Sequence, residues 1–240
     1  MLDIDALPDE FVARAKRLLN LRDFDSASAP VMVGSSRAVA PSDQHVLRMM
    51  LRSDDLPFSI PPELDWLADY VEELDRFQVA NGLHNPFVYV TVRQGPSRTT
   101  TDDLWHVDGF SMRTPHAPEQ NYVRVVGRAT EFLVRAWDLP ETFDPLVHNI
   151  HRYFQQHEAG ELVVGEDSGI YAIDPYCVHR RPPVSAGEWR SFTRVSFVPI
   201  EIEDDTCTRN PLFPAKAYGR SDVRRTLVDW SGERSSTVPG

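Results

Sequence analysis

Residues 87–92 read Phe87-Val88-Tyr89-Val90-Thr91-Val92 and end at Gln94-Gly95-Pro96. Six successive β-branched or aromatic residues suit a pleated, half-buried strand; in a helix their χ1 angles would be crowded by the preceding turn. Working outward, the runs Leu104–Asp108, Tyr122–Val126, Glu131–Val134, Glu161–Val164, Ile170–Ile173 and Phe192–Ile200 have the same character. Short strands joined by Gly and Pro turns point to a mainly β sandwich or barrel rather than to a parallel sheet with crossover helices. One helix near 142–157 interrupts them, with Thr142 as its cap and Phe143, Leu146, Val147, Ile150 and Phe154 at helical spacing.

Residues 1–84 read as a helical N-terminal part. Asp9 and Glu10 fall in the first turn of a segment running to about Leu21, with Phe11, Ala15, Leu18 and Leu19 on one side. A second short helix is expected from Ser42, carrying Val46, Met49 and Met50. A third follows Pro61-Pro62, where Leu64, Trp66, Leu67, Val71, Leu74 and Phe77 recur at helical spacing until Gly82. Beyond residue 200 the pattern fades into a Pro- and Arg-containing extension over 201–240, which either covers a site or makes a contact between copies. With no internal repeat and no linker, 1–240 reads as a single domain.

Composition narrows the function. Hydrophobic residues make up 41% of the chain, enough for a sizeable core. Lys and Arg number 25 against 36 Asp and Glu, a net charge of −11. Such a chain has no generic attraction to phosphate backbones or anionic lipid, so neither nucleic acid nor membrane is an expected partner. No apolar run approaches the roughly 20 residues that span a bilayer. The acidic start, MLDIDALPDEF, lacks the basic and then apolar pattern of a signal peptide. Two cysteines do not make a disulfide scaffold. A cytoplasmic location is the expectation.

The chemistry concentrates at Trp105-His106-Val107-Asp108. Residues two apart on a strand share a face, so His106 and Asp108 project together as two thirds of a 2-His-1-carboxylate metal site. The distant partner is His179, in Asp174-Pro175-Tyr176-Cys177-Val178-His179. Downstream, Arg190, Phe192, Arg194 and Ser196 share one face of a strand. Two inward arginines require an anionic partner, because a buried unpaired guanidinium is costly.

His106-x-Asp108, His179 some 73 residues on, Arg190 eleven residues later and Arg194 at plus fifteen resemble the Fe(II)/2-oxoglutarate-dependent oxygenase superfamily, nearest its taurine-dioxygenase and phytanoyl-CoA-hydroxylase branches. The resemblance covers Phe87 to Ile200. It implies a double-stranded β-helix, a jelly-roll or cupin-like core over 85–200 buttressed by the N-terminal helices. It implies that His106, Asp108 and His179 bind Fe(II), leaving positions for 2-oxoglutarate and O2. Arg190 would pair with the distal carboxylate of 2-oxoglutarate, with Thr130 as a further contact. Arg194 would meet a substrate anion or exchange roles with Arg190. The related halogenases replace the carboxylate with a small residue, so Asp108 implies hydroxylation, desaturation or a related oxidation. The substrate class is a small metabolite, amino acid or natural-product intermediate, including anionic ones, with succinate and CO2 released.

Tyr89, Thr91 and Arg93 alternate toward the mouth of such a site, and Arg124 is a further candidate for a carboxylate contact. His148 and His151 read as a solvated helix face, and His45, His84, His116 and His157 have no partner pattern. Cys177 shares a face with His179 but nothing activates it. Two alternatives stand beside the oxygenase: a cupin-like metalloenzyme that does not use 2-oxoglutarate, and a non-catalytic ligand-binding module of the same fold. Against the first, such sites usually show His-x-His with a nearby Glu, where this chain has His106-x-Asp108.

Overall fold

The computed structural model describes residues 2–54, 56–97, 104–112, 118–202 and 206–213. His116 and most of the C-terminal extension lie outside them. Among the described residues, nine strands form two antiparallel sheets. The larger comprises β1 (Val31–Ser35), β2 (Gln44–Arg52), β3 (Phe87–Pro96), β4 (Gln120–Val126), β7 (Gly169–Ile173) and β9 (Trp189–Val198), in the order β1-β7-β4-β9-β3-β2. The smaller comprises β5 (Glu131–Val134), β6 (Glu161–Val164) and the two-residue β8 (His179–Arg180), in the order β6-β5-β8.

The period-2 alternation of the large sheet decides what lies on each side of it. Val88, Val90, Val92, Tyr122, Ile170, Ala172, Val195 and Phe197 face outward and are covered by helices. These are α1 (Asp9–Ala15) and α2 (Ala68–Ala80), the latter led in by a 3-10 turn over Pro62–Leu67. Helix α2 stops at Gly82, whose φ of +64° is open to glycine at little cost. The inward face meets the small sheet through Val123, Val125, Phe132, Tyr171, Ile173 and Cys177. The outer side of the small sheet is closed by Phe24, Trp137, Phe143, Tyr153 and Phe154, the last two from α3 (Ile150–Gln156). Among the described residues, no helix is long and apolar enough to cross a membrane.

Five expectations need correction. Residues 1–84 are not wholly helical, since β1 and β2 lie within them. The short helix expected from Ser42 is β2: a bulge between Val46 and Met49 leaves both on the helix-covered face, and their three-residue spacing imitates a helix. The first helix ends at Ala15, leaving Leu18 60% exposed while Leu19 joins the core under the small sheet. The helix near 142–157 begins only at Ile150, capped by Asn149, which accepts the Arg152 N–H. Ahead of it, Asp144 accepts the Leu146 and His148 N–H groups and closes a separate turn around Pro145. The expected strand Leu104–Asp108 is irregular, joined to its neighbour by one isolated bridge at His106.

Candidate metal centre

That bridge pairs His106 with His179. Each donates its N–H to the carbonyl of the other at 2.9 Å, so backbone pairing holds two residues 73 apart in sequence directly opposite one another. Their ring centroids lie 4.4 Å apart. The Nδ1 of His106 donates to the Leu104 carbonyl at 2.8 Å, and the Nδ1 of His179 to the Cys177 carbonyl at 2.9 Å. A carbonyl only accepts, so each Nδ1 carries a proton, which leaves Nε2 as the ring atom that could serve a metal. Asp108 completes the cluster, with its Oδ2 3.3 Å from the His179 Nε2. One ligand atom from each of His106, Asp108 and His179 falls within 4.8 Å of the others.

The electrostatics suit a cation. Burial, reinforced by His179, lowers the His106 pKa to about 4, so the imidazole is neutral at pH 7. Burial alone would raise the Asp108 carboxyl. Its contact with the Arg194 guanidinium, aided by His179, outweighs that and holds it well below the usual carboxylate range. Two imidazoles and one carboxylate are the donor set that non-haem iron takes as a facial triad.

The centre opens into a cavity of about 880 Å³ lined by β2, β3 and β9 on one side and by Thr130, His179 and Arg180 on the other. In the register of the large sheet Gly95 faces Arg190, Arg93 faces Phe192 and Thr91 faces Arg194, so these side chains share the inner face. Arg190 donates through Nε to the Arg128 carbonyl at 2.8 Å and lies 3.4 Å from the Thr130 hydroxyl. Thr91, Arg93, Thr130, Arg190 and Arg194 all line the cavity.

Other candidates lie elsewhere. Arg124 faces away, buried against the rings of Trp66 and Tyr70 and donating to the hydroxyls of Ser36 and Thr193. The Tyr89 hydroxyl accepts the Ile202 N–H. Cys177 packs between the sheets, where burial pushes its thiol pKa up, and only its carbonyl serves the centre. His148 precedes α3 and accepts the Asp144 N–H. His151 does not stand apart from the centre: its ring lies 6.2 Å from that of His106 and hydrogen-bonds the Val107 backbone.

The supports behind the ligands escaped the sequence reading. Asp174 is 2% exposed and accepts from Arg14 Nε at 2.8 Å, Ser28 Oγ at 2.8 Å and the Tyr176 N–H at 3.0 Å. It thereby pins the turn that delivers His179. On the other side, Gln155 of α3 donates to the Trp105 carbonyl at 2.8 Å. The Asp-Pro pair at 174–175 was the available signal for a turn; the side-chain partners Arg14 and Ser28 come from the far N-terminus and carry none.

No family model and no curated protein matches the chain. Among solved structures it is similar to AviO1 from Streptomyces viridochromogenes Tue57, at 16% identity over 85% of this chain and 89% of that one, with a TM-score of 0.38. HygX from Streptomyces hygroscopicus, with nickel and 2-oxoglutarate bound, aligns at 11% identity over 80% of this chain and 88% of its own, with a TM-score of 0.38. CytC3, with Fe(II) and alpha-ketoglutarate, aligns at 12% identity over 82% and 79%, with a TM-score of 0.37.

Proposed function

We propose that this chain is an Fe(II)- and 2-oxoglutarate-dependent oxygenase that hydroxylates a C–H bond of a small molecule. The observation that carries the reading is the convergence of His106, Asp108 and His179 within 4.8 Å, each imidazole presenting its Nε2 and the carboxylate held ionised. The same reading takes the two facing sheets as a double-stranded β-helix. Bound there, iron together with 2-oxoglutarate and O2 supplies the oxidising power that no side chain possesses.

The chain's own contribution is ligation, charge balance and orientation. His106 and His179 are held by backbone carbonyls and by each other's main chain, so they bind without reorganising. Asp108 is kept charged by Arg194, a contact that supports giving the distal carboxylate of 2-oxoglutarate to Arg190 rather than to Arg194. Arg190 already lies beside Thr130, and its planar fork matches a carboxylate bidentately. The cavity leaves the remaining wall, β2 and β3, to the substrate.

Anaerobic equilibrium dialysis tests this. One Fe(II) per chain is expected, lost in His106→Ala and Asp108→Ala, with 2-oxoglutarate retained only when the metal is present. Iron that binds equally well to both variants would place the metal elsewhere, and stoichiometric iron without 2-oxoglutarate would favour a cosubstrate-free enzyme.

A further inference from the structure

The segment that carries two of the three ligands is paired to a strand on one edge only. His106 and His179 exchange both backbone hydrogen bonds at 2.9 Å, which joins residues 105–108 to β8 and so to the small sheet. Among the described residues, no strand runs along the other edge. In an antiparallel ladder, a residue that exchanges both bonds with its partner leaves its two neighbours facing the opposite way. The carbonyls of Trp105 and Val107 therefore point away from His179, as they would at the open edge of a sheet.

Helix α3 covers that edge with side chains instead of a strand. Gln155 donates through Nε2 to the Trp105 carbonyl at 2.8 Å and to the His151 carbonyl at 3.3 Å. Both partners only accept, so the amide is fixed with its nitrogen toward the segment. One turn earlier on the same face of the helix, His151 hydrogen-bonds the Val107 backbone. That bond favours the protonated ring, so the ring donates and the Val107 carbonyl accepts. The His151 ring also lies edge-on to that of His106, with centroids 6.2 Å apart and planes at 68°. Behind these two residues the helix is anchored. Tyr153 and Phe154 are buried in one cluster with Trp105, Val107 and Val178, and Asn149 caps the first turn.

The spacings of donors and acceptors agree. Residues four apart on a helix are displaced by about 6 Å along its axis. Carbonyls two residues apart on an extended chain are displaced by about 6.6 Å. Side chains at i and i+4 of a helix can therefore serve alternate carbonyls of a strand lying along it. The two bonded carbonyls bracket His106, and that of Val107 belongs to the peptide group leading into Asp108.

We infer that His151 and Gln155 are positioning residues of the metal centre, holding the carbonyls on either side of His106 and so setting how His106 and Asp108 are presented together. Their role rests on the metal-binding part of the reading above and is independent of 2-oxoglutarate. The ligand segment thus has two ladders, main chain to β8 on one edge and side chains of α3 on the other.

Co(II) is the probe, since it takes the same nitrogen and oxygen donors as Fe(II) and its visible bands report coordination geometry. His151→Phe keeps the ring and Gln155→Met keeps the length, and each removes the donor. Each should weaken Co(II) binding roughly tenfold, the low end of what loss of a ligand support costs, and should shift the visible bands at saturating metal. The melting temperature of the metal-free protein should fall by only about 2–4 °C, the worth of one hydrogen bond in a chain of this length. His151→Gln, which returns an N–H donor, should restore most of the affinity and the parent bands. Weaker binding with parental bands at saturation would reduce the pair to general support of the fold and overturn the inference. A His151→Gln protein no better than His151→Phe would overturn it as well. If His106→Ala abolishes binding while the His151 and Gln155 variants bind as the parent does, the positioning role alone is overturned and the oxygenase reading stands. If Co(II) binds His106→Ala as tightly as the parent, the metal lies elsewhere, and the oxygenase reading falls together with this inference.

Discussion

Asp174→Ala is the perturbation whose consequence follows most directly from the packing around the site. The carboxylate is buried and accepts three hydrogen bonds, from Arg14, Ser28 and the Tyr176 backbone, within one turn of the chain before His179. Removing it leaves the guanidinium of Arg14, 8% exposed, without its buried partner. Breaking a buried pair from one side costs about 3–5 kcal/mol. Arg14 keeps its contact with the exposed Glu10 at 2.7 Å, which places the expected loss near the lower figure, about 3 kcal/mol. For a chain of 240 residues that corresponds to a melting temperature lowered by roughly 6–12 °C. Urea unfolding of the metal-free protein, followed by circular dichroism, measures it. The double variant Arg14→Leu, Asp174→Leu removes both charges and should recover much of the loss. A single variant within about 1 kcal/mol of the parent would refute the view that this buried pair holds the His179 turn in place.

Three further outcomes are expected. In the metal-free protein the His106 imidazole should stay neutral from pH 8 to about pH 5, because its depressed pKa of about 4 places protonation below that range, as read by NMR of the ring. A titration whose midpoint sits near the ordinary histidine value of about 6.5 would contradict this. Gly109→Ala should weaken metal binding by roughly 10–100-fold, the range seen when a support of a ligand is disturbed. Gly109 has φ of +77°, and a Cβ there would sit 2.8 Å from the Glu119 carboxyl, directly beside Asp108. Arg190→Lys should lower 2-oxoglutarate affinity by roughly 10–100-fold through loss of the bidentate fork while leaving Fe(II) stoichiometry at one, read by calorimetry and metal analysis.

Much of the fold was legible because its strands obey local rules. Phe87–Val92, Glu131–Val134 and Glu161–Val164 announce themselves by β-branched and aromatic residues, and the structure forms all three. Segment 42–52 misled because a bulge inserts residues between Val46 and Met49, and a two-residue step plus one is indistinguishable from a helical step in the sequence alone. At the candidate metal centre, His106-x-Asp108 and the distant His179 could be picked out in the sequence, but not the way they meet. The reading relied on a regular strand; the structure uses a single bridge between His106 and His179, which no local pattern encodes. Arg194 was read as an inward arginine needing an anion, whether a substrate's or, by exchange with Arg190, that of 2-oxoglutarate, and in the structure it lies against Asp108; inward direction can be inferred from alternation whereas the identity of the facing group cannot. His151 was discounted for want of a carboxylate at matching spacing, although the chain returns α3 against Val107 from some forty residues away.

The central claim is that His106, Asp108 and His179 form an iron site built to receive 2-oxoglutarate beside Arg190. Anaerobic visible spectroscopy of the Fe(II)-loaded protein tests it most directly. Adding 2-oxoglutarate should produce a metal-to-ligand charge-transfer band that is absent from Asp108→Ala and, at the same cosubstrate concentration, much reduced in Arg190→Ala. Stoichiometric iron with no band at saturating 2-oxoglutarate, or a band untouched by either substitution, would contradict the account.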